Sequence, residues 1–242
     1  MNYIILAAGL GTRMKSDKAK VLHEIDNKPM IWRLISTIKE TEPRKIIVII
    51  GHQANLVKKA LSDFSDLEFA LQEKQLGTGH AANYGLNLLN EGSCIILPGD
   101  TPLITSNVFS ILQNAYLESG KKLAFLTTEA ENNKGLGRIV RKNNKIKIVE
   151  EKDASQSELE IKEVNTGIYV GDIIYIKNLL KNINNNNKQN EYYLTDIIKM
   201  ASNENNLAAI KINDSISVMG INNLDELEFA DKVYKQRISS GS

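Results

Sequence analysis

Two glycines and two cations stand close together near the start of the chain, in Leu6-Ala7-Ala8-Gly9-Leu10-Gly11-Thr12-Arg13-Met14 and at Lys20. Glycine reaches backbone angles that other residues avoid, and without a side chain it lets main-chain N–H groups approach a ligand. Successive N–H groups in such a turn form an anion-binding concavity. Arg13 and Lys20 add the charge that holds a polyphosphate. The chemistry is that of a cradle for a nucleoside triphosphate. The third glycine of a G-x-G-x-x-G dinucleotide fingerprint is replaced by Met14, and no helical pattern begins directly after the loop, which disfavours a nicotinamide or flavin site. The G-x-x-x-x-G-K-[ST] phosphate loop is absent too, which argues against an ordinary P-loop ATPase.

A second acidic motif, Leu97-Pro98-Gly99-Asp100-Thr101-Pro102-Leu103, follows an apolar run. A carboxylate just past the end of a buried parallel strand lies where open α/β sheets bind ligands. Mg²⁺ prefers hard oxygen ligands, and one carboxylate with substrate phosphates suffices for it. The plainer role of Asp100 is to cap the turn before Thr101-Pro102. Gln72 leads a third motif that runs on through Gly77-Thr78-Gly79-His80. Its amide both donates and accepts, as the edge of a pyrimidine ring requires. Thr78 also suits the cap of a helix from His80 onward, and His80 reads as a helix-start residue rather than a catalytic base. Gly135-Leu136-Gly137-Arg138, Glu150-Glu151-Lys152-Asp153, Val164-Asn165-Thr166-Gly167 and Asn190 to Asp196 offer polar groups for a sugar's hydroxyls and amide. Glu150 to Asp153 also reads as a solvated charge run, and Asn165 as a turn residue. Asn222 supplies one more oxygen ligand ahead of the last helix, or a plain N-cap.

The elements that must position these groups alternate short apolar runs with helical periods, the pattern of a mainly parallel sheet covered by helices. Lys45 to Ile50 is β-branched on consecutive positions, as in a strand buried on both faces, and Ser93 to Leu97 reads the same way. Helical spacing links Ile31, Leu34, Ile35 and Ile38, with Pro29 at the helix start, and then Val57, Ala60, Leu61 and Phe64. Val108, Ile111, Leu112 and Ala115 mark another helix, capped by Thr105 or Ser106. Leu123 to Thr128 is a strand, and Arg138–Arg141 with Lys145–Glu151 forms a hairpin around Asn143-Asn144. Glu163 to Val170 is a further strand and Asn182 to Asn190 an asparagine-rich loop. A helix from about Tyr193 follows, with Leu194, Ile197, Ile198 and Ala201 on one face. The last helix runs from near Asn223 to about Arg237, and Ser239 to Ser242 reads as a flexible tail.

The chain has 242 residues and a formal net charge of +1, enough for a substantial core and without the excess charge of a nucleic-acid or membrane surface. The lone Cys94 excludes an internal disulfide and reads as a small buried hydrophobe in a reducing cytosol. The first apolar run lacks a basic leader and ends in the glycine loop, so it reads as a strand and not a signal peptide.

Together LAAGLGTRM, KVLH at Lys20 to His23, QLGTGHA at Gln75 to Ala81, PGDTPL, GLGRI, VEEKDA, VNTGIY, NEYYLTD and GINN form an ordered series from Tyr3 to Asn223. That series closely resembles the uridyltransferase domain of bacterial N-acetylglucosamine-1-phosphate uridyltransferases. The resemblance implies a Rossmann-like sugar nucleotidyltransferase fold, α/β with a mainly parallel sheet and a smaller sugar-binding lobe. It implies one domain over 1–238, with a nucleotide-binding half at 1–120, a sugar-binding half at 121–222, and the last helix at 223–238. By the same likeness the nucleotide meets Leu6, Ala7, Ala8, Gly9, Gly11, Thr12, Gln72, Gly77 and Thr78. Arg13, Lys20 and Asp100 are the catalytic groups, with Asp100 and Asn222 holding Mg²⁺. Pro98, Gly99, Gly137, Glu150, Asn165, Tyr193 and Thr195 face the sugar.

The implied reaction joins UTP and N-acetyl-α-D-glucosamine 1-phosphate into UDP-N-acetylglucosamine and pyrophosphate, in the cytoplasm, for peptidoglycan and lipopolysaccharide precursors. A sister enzyme for another sugar or base is the first alternative. The second is a nucleotide-sugar-binding regulator, which would be expected to have lost Lys20 or Asp100. Ala19 stands where the family has proline, which is expected to loosen Lys20, and Pro98 stands where relatives often carry tyrosine. Full-length relatives continue into a left-handed β-helix acetyltransferase domain, and without hexapeptide repeats that second activity is not expected in this chain.

Overall fold

The computed structural model describes residues 1–9 and 11–240, and of Thr12 the backbone alone; Leu10, the Thr12 side chain and positions 241–242 of the expected tail lie outside the described residues. β1 (Asn2–Ala7) leads through two 3₁₀ turns, Thr12–Met14 and Lys20–Leu22, to a small ribbon of β2 (Glu24–Ile25) and β3 (Lys28–Pro29). Then come α1 (Met30–Lys39), β4 (Lys45–Ile50), α2 (Ala54–Ala60), β5 (Leu67–Leu71), α3 (Thr78–Leu86), β6 (Ser93–Pro98), α4 (Ser106–Ser119) and β7 (Leu123–Glu129). A hairpin of β8 (Arg138–Lys142) and β9 (Lys145–Val149), the turn-length α5 (Gln156–Leu159) and the long β10 (Glu163–Asp172) follow. α6 (Ile173–Leu180), α7 (Asp196–Asn203), β11 (Leu207–Lys211) and α8 (Leu224–Ser240) close the fold.

Among the described residues the main sheet has nine strands, and seven of them lie in the order β11-β7-β10-β6-β1-β4-β5. β1 runs parallel to both neighbours, pairing Ile5 with Val48 on one side and with Leu97 on the other. The chain first winds outward from β1 to β4 and β5, then returns to lay β6 on the opposite side. Such a reversal opens a crevice at the carboxyl ends of β1 and β6, where open α/β sheets take their ligands. β10 is antiparallel to β6 and β7, and its first residues carry β8, paired with β9, off the seven-strand path. A register shift in β10 falls between Asn165 and Tyr169, beside Pro98 at the end of β6. Proline has no N–H for a ladder, so an irregular neighbour there forfeits no bond.

Alternate residues of the central strands serve two cores, as a strand period of two demands. Tyr3, Ile5, Ile46 and Val48 pack with α1 and α4 through Leu34, Ile38, Phe109 and Leu112. Ile4, Ile47 and Ile49 pack on the opposite face with Ala82 and Leu86 of α3 and with Ile197 and Ile198 of α7. Cys94 is fully buried there, and burial pushes its thiol up to about 12, which makes it the inert hydrophobe expected. The hairpin turn also forms where expected, with Asn143 and Asn144 both at positive φ.

Several boundaries differ from expectation. Pro29 caps α1 from outside instead of occupying its first turn. α2 stops at Ala60, so Phe64 packs from the turn that follows. In α4 the buried face is Val108, Phe109, Leu112 and Tyr116, while Ile111 is exposed. α7 starts at Asp196 and not at Tyr193, because Tyr192 and Leu194 are tied to the loop before α3. α8 runs through Ser240, which takes the Ser239–Ser240 part of the expected tail into the helix.

Candidate active site

The carboxyl ends of β1 and β6 open onto a cleft of about 1640 Å³. Leu6, Ala7, Ala8, Gly9 and Gly11 form one wall, and Pro98 and Asp100 lie beside them. Gly11 takes φ +64°, and a Cβ there would sit 2.6 Å from Lys20 Cβ, so the turn needs glycine to let Lys20 in. Lys20 Nζ forms an ion pair with Asp100 Oδ2 and donates to Asn222 Oδ1 at 3.1 Å. Arg13 Nη2 donates to the same amide oxygen at 2.7 Å. The other end of that guanidinium reaches Gly135, where a Cβ would lie 2.6 Å from Nη1. Arg13 thus spans the cleft from the glycine loop to the loop before β8.

Asp100 is nearly buried, and its Oδ1 has no hydrogen-bond partner among the described residues. A buried carboxylate oxygen left unpaired is costly, so its geometry suits a cation ligand. The Ile221 N–H donates to the Asp100 carbonyl at 2.9 Å, which holds the Gly220–Asn222 turn against it. Capping of α8 falls to Asn223, whose Oδ1 accepts from the Glu226 N–H at 2.9 Å. The plain N-cap reading of Asn222 therefore fails, and its oxygen is left pointing at the cations. Among the described residues no cluster of three His, Cys, Asp or Glu side chains could hold a metal. One carboxylate and one amide, Asp100 and Asn222, make a partial set of hard oxygens that phosphate oxygens and water would complete.

Gln72, Gly77 and Thr78 line the same cleft from the β5 side. Gly77 needs glycine, since its φ is +111° and a Cβ would lie 2.6 Å from the Tyr192 carbonyl. Thr78 does not cap its own helix; its Oγ1 accepts from the Leu194 N–H at 3.0 Å. With Tyr192 N to Leu76 O and Gly79 N to Tyr192 O, both 2.8 Å, this clasps the Gln75–Gly79 loop to the stretch before α7.

Gly137, Glu150 and Asn165 line the far wall. Asn165 donates to Tyr169 Oη at 2.8 Å and accepts from the Gly167 N–H at 3.1 Å, so its amide is fixed in place and not merely turning the chain. Glu150 accepts from Thr195 Oγ1 at 3.0 Å, and burial raises its carboxyl above the usual range, helped by Asp153 and Asp196 nearby. Tyr193 and Thr195 do not line the main cleft: they sit in a smaller cavity of about 440 Å³, with Glu150 shared between the two. Gly99 also lies outside the lining, its N–H bonded to Leu6 O, and a Cβ there would lie 3.2 Å from Val21 and 3.3 Å from Ala7.

Residues 3–163 match the family described as the MobA-like NTP transferase domain. The chain belongs to that family. This MobA-like NTP transferase chain is 40% identical, over 239 residues, to the protein named "Bifunctional protein GlmU" of Caldanaerobacter subterraneus subsp. tengcongensis, across 98% of this chain and 52% of the relative. It is 44% identical to the protein of that name from Streptococcus mutans serotype c, across 98% of this chain and 53% of that one. The chain thus spans about half the length of the curated relatives it matches. In fold it resembles a solved UDP-glucose pyrophosphorylase in complex with UDP-glucose, with a TM-score of 0.74 at 17% identity over 98% of each chain. It also resembles a glucose-1-phosphate thymidylyltransferase assigned in Bacillus anthracis, with a TM-score of 0.75 at 18% identity over 96% of this chain and 94% of that one. The expected α/β nucleotidyltransferase fold is the one observed.

Two supporting residues of this MobA-like NTP transferase site, Gln53 and Glu226, escaped the sequence reading, and a third, Arg138, was read there as a polar group for the sugar. Gln53 Oε1 accepts from the Ala19 N–H at 2.8 Å and its Nε2 donates to Asp17 O at 2.5 Å, which braces the loop ahead of Lys20. Arg138 is 2% exposed and hydrogen-bonds the carbonyls of Leu136 and Leu159, fixing the Gly135–Gly137 loop. Glu226 accepts from the Asn222 N–H at 2.6 Å. Gln53 has no motif signature, since its partners Ala19 and Asp17 are far off in sequence, whereas Glu226 stands three residues after Asn223 in a helix-start pattern. Arg138 did have one, as the arginine directly after Gly137, but it turns inward, bonding carbonyls at the buried start of β8.

Proposed function

We propose that this chain is a uridylyltransferase that joins UTP and N-acetyl-α-D-glucosamine 1-phosphate into UDP-N-acetylglucosamine and pyrophosphate. The observation that carries the reading is the convergence of Arg13, Lys20, Asp100 and Asn222 at the carboxyl ends of β1 and β6, with Gln72 in the same cleft. The similarity to GlmU proteins along nearly the whole chain supports it. An oxygen of the sugar phosphate attacks the α-phosphorus of UTP, the bond from that phosphorus to the bridging oxygen breaks, and pyrophosphate leaves with the electron pair. A phosphate monoester is already an anion near neutral pH, so no general base has to take a proton.

The chain's work is positioning and charge neutralisation. Gly9 and Gly11 bring backbone N–H groups to the triphosphate. Lys20 and Arg13 stabilise the charge that builds on the transferring group and on the leaving pyrophosphate. Gly137, Glu150 and Asn165 face the acetamido sugar, and Thr195 acts behind Glu150. A divalent ion, which we take to be Mg²⁺, would be held by Asp100 and Asn222 and would supply Lewis-acid charge neutralisation for the reaction.

The test is pyrophosphate release from UTP and N-acetylglucosamine 1-phosphate with Mg²⁺. Wild type is expected to release it, and Asp100→Ala, still folded by circular dichroism, to lose at least about 10²-fold in kcat. A folded wild type that is silent with these substrates sinks the reading. An Asp100→Ala rate equal to wild type removes the carboxylate from the reaction.

A further inference from the structure

His80 lies outside the cleft lining, in the first turn of α3, with its ring edge-on to Tyr84 at 5.1 Å. On the cleft side it meets Gln72, which is buried at the end of β5 with its N–H bonded to Ile50 O. The Gln72 amide nitrogen lies 3.2 Å from the Gly77 carbonyl oxygen and 2.9 Å from His80 Nδ1. A backbone carbonyl only accepts, so the amide atom facing it is the nitrogen, and this fixes which way the amide points. Its second hydrogen then meets His80 Nδ1, which must be the unprotonated ring nitrogen. The ring proton is left on Nε2. Both amide hydrogens of Gln72 are thereby used, and Oε1 alone remains for a ligand.

An acceptor at that point matches the N3–H of uracil. Cytosine presents a bare N3 there, so two acceptors would face each other. Without His80 only the 3.2 Å bond to the Gly77 carbonyl opposes a flip that turns the amide nitrogen toward the cleft. We propose that His80 is a specificity-determining positioning residue: by accepting from Gln72 Nε2 it locks Oε1 toward the base and so selects uracil over cytosine. This rests on the nucleotide assignment of the cleft given above, and it adds a residue that touches no substrate.

The experiment measures UTP and CTP binding by calorimetry, with Mg²⁺, to the full chain as wild type, His80→Leu and His80→Asn, alongside pyrophosphate release. Wild type is expected to prefer UTP. His80→Leu should cut the UTP-to-CTP preference about tenfold or more, through a higher KM for UTP with kcat within about twofold. His80→Asn, whose side-chain oxygen stands near the place of Nδ1, should restore most of that preference. Equal weakening of both nucleotides in His80→Leu, or no recovery in His80→Asn, would mean a merely structural histidine and overturns the proposal. So does a wild type that does not distinguish UTP from CTP. A long-range ¹H–¹⁵N spectrum of the wild type needs no variant: protonated Nδ1 overturns the proposal, and protonated Nε2 alone supports it. A chain that prefers UTP in binding yet releases no pyrophosphate defeats the proposed reaction, and the His80 comparison still decides this inference by itself.

Discussion

Lys20 and Gln72 share one cleft, yet their chemistry separates their expected phenotypes. Lys20 offers a compact charge between Asp100 and Asn222, so its value lies in the charge that develops during transfer. Lys20→Ala is expected to lower kcat by about 10²-fold or more with a smaller change in KM for UTP. In the proposed reading Gln72 offers a fixed acceptor to the base, and Gln72→Ala should raise KM for UTP while sparing kcat. Steady-state kinetics on both variants checks the pair, and the reverse pattern would exchange their roles. Glu150 makes a prediction in pH. Its folded carboxyl is raised above its ordinary value, burial being the largest cause, so the folded chain holds that proton more tightly than the unfolded chain. Its contribution to stability is therefore present below the ordinary carboxylate range and is lost as pH rises through the raised value. Glu150→Gln keeps an oxygen for the Thr195 hydroxyl and carries no charge. Its melting temperature relative to wild type should be higher near neutral pH than near pH 4, and a pH-independent difference would contradict the assignment. Asp100 and Lys20 were legible as candidates because each sits in a local motif, and the structure brings the two together. The separate cavity of Tyr193 and Thr195 was not, since only the clasp between Gly77 and Tyr192 turns that stretch away from the main cleft.

Among the elements, the loop ahead of Lys20 shows how a lost local constraint is replaced from a distance. Ala19 sits at φ −53°, ψ 135°, a conformation proline would also adopt. Unlike proline it has an N–H, and Gln53 takes it, so the loop is braced by a side chain from the start of α2. The loosening expected from Ala19 is thus offset by a hydrogen bond. Gln53→Ala should lower kcat several-fold by freeing Lys20, and adding Ala19→Pro should recover most of the loss. Ala19→Pro alone should give no gain, because it leaves Gln53 Oε1 without its donor. Additive effects in this double-mutant cycle would uncouple the two positions. The strands and helices around this loop were readable because periodicity and turn chemistry are encoded in neighbouring residues, as at Lys45–Ile50 and at Asn143-Asn144. Helix ends were less so. Thr78 and Leu194 are far apart in sequence, and the bond from the Leu194 N–H to Thr78 Oγ1 ties the start of α3 to the stretch before α7.

Across the whole molecule the cleft is walled by segments from both ends of the chain. Arg13 from the first loop meets Gly135 ahead of β8 and Asn222 ahead of α8. α8 in turn is fastened to the β2–β3 ribbon, where the Asp26 N–H donates to Asp231 and the Arg33 guanidinium lies 4.2 Å from the Tyr234 ring centroid. A ligand that engages Arg13, Lys20 and Asp100 therefore ties together parts that unfolding must separate. UTP with Mg²⁺ should stabilise the folded chain by RT ln(1 + [L]/Kd), about 2.7 kcal/mol at a hundredfold excess over Kd. For a chain of this size that corresponds to a rise in melting temperature of roughly 5–10 °C. Two variants separate the causes of that rise. Asp100→Ala should lose the part that depends on Mg²⁺ and keep some of the rise from the triphosphate and base. Arg33→Ala should lower the melting temperature without ligand, because α8 loses its anchor, and yet keep a large share of the rise on adding UTP, since Arg33 does not line the cleft. Thermal melts of the three proteins with and without UTP and Mg²⁺ measure this. If Arg33→Ala abolished the ligand-induced rise while Asp100→Ala kept it whole, the nucleotide would be bound away from the carboxyl ends of β1 and β6, against the α8 face.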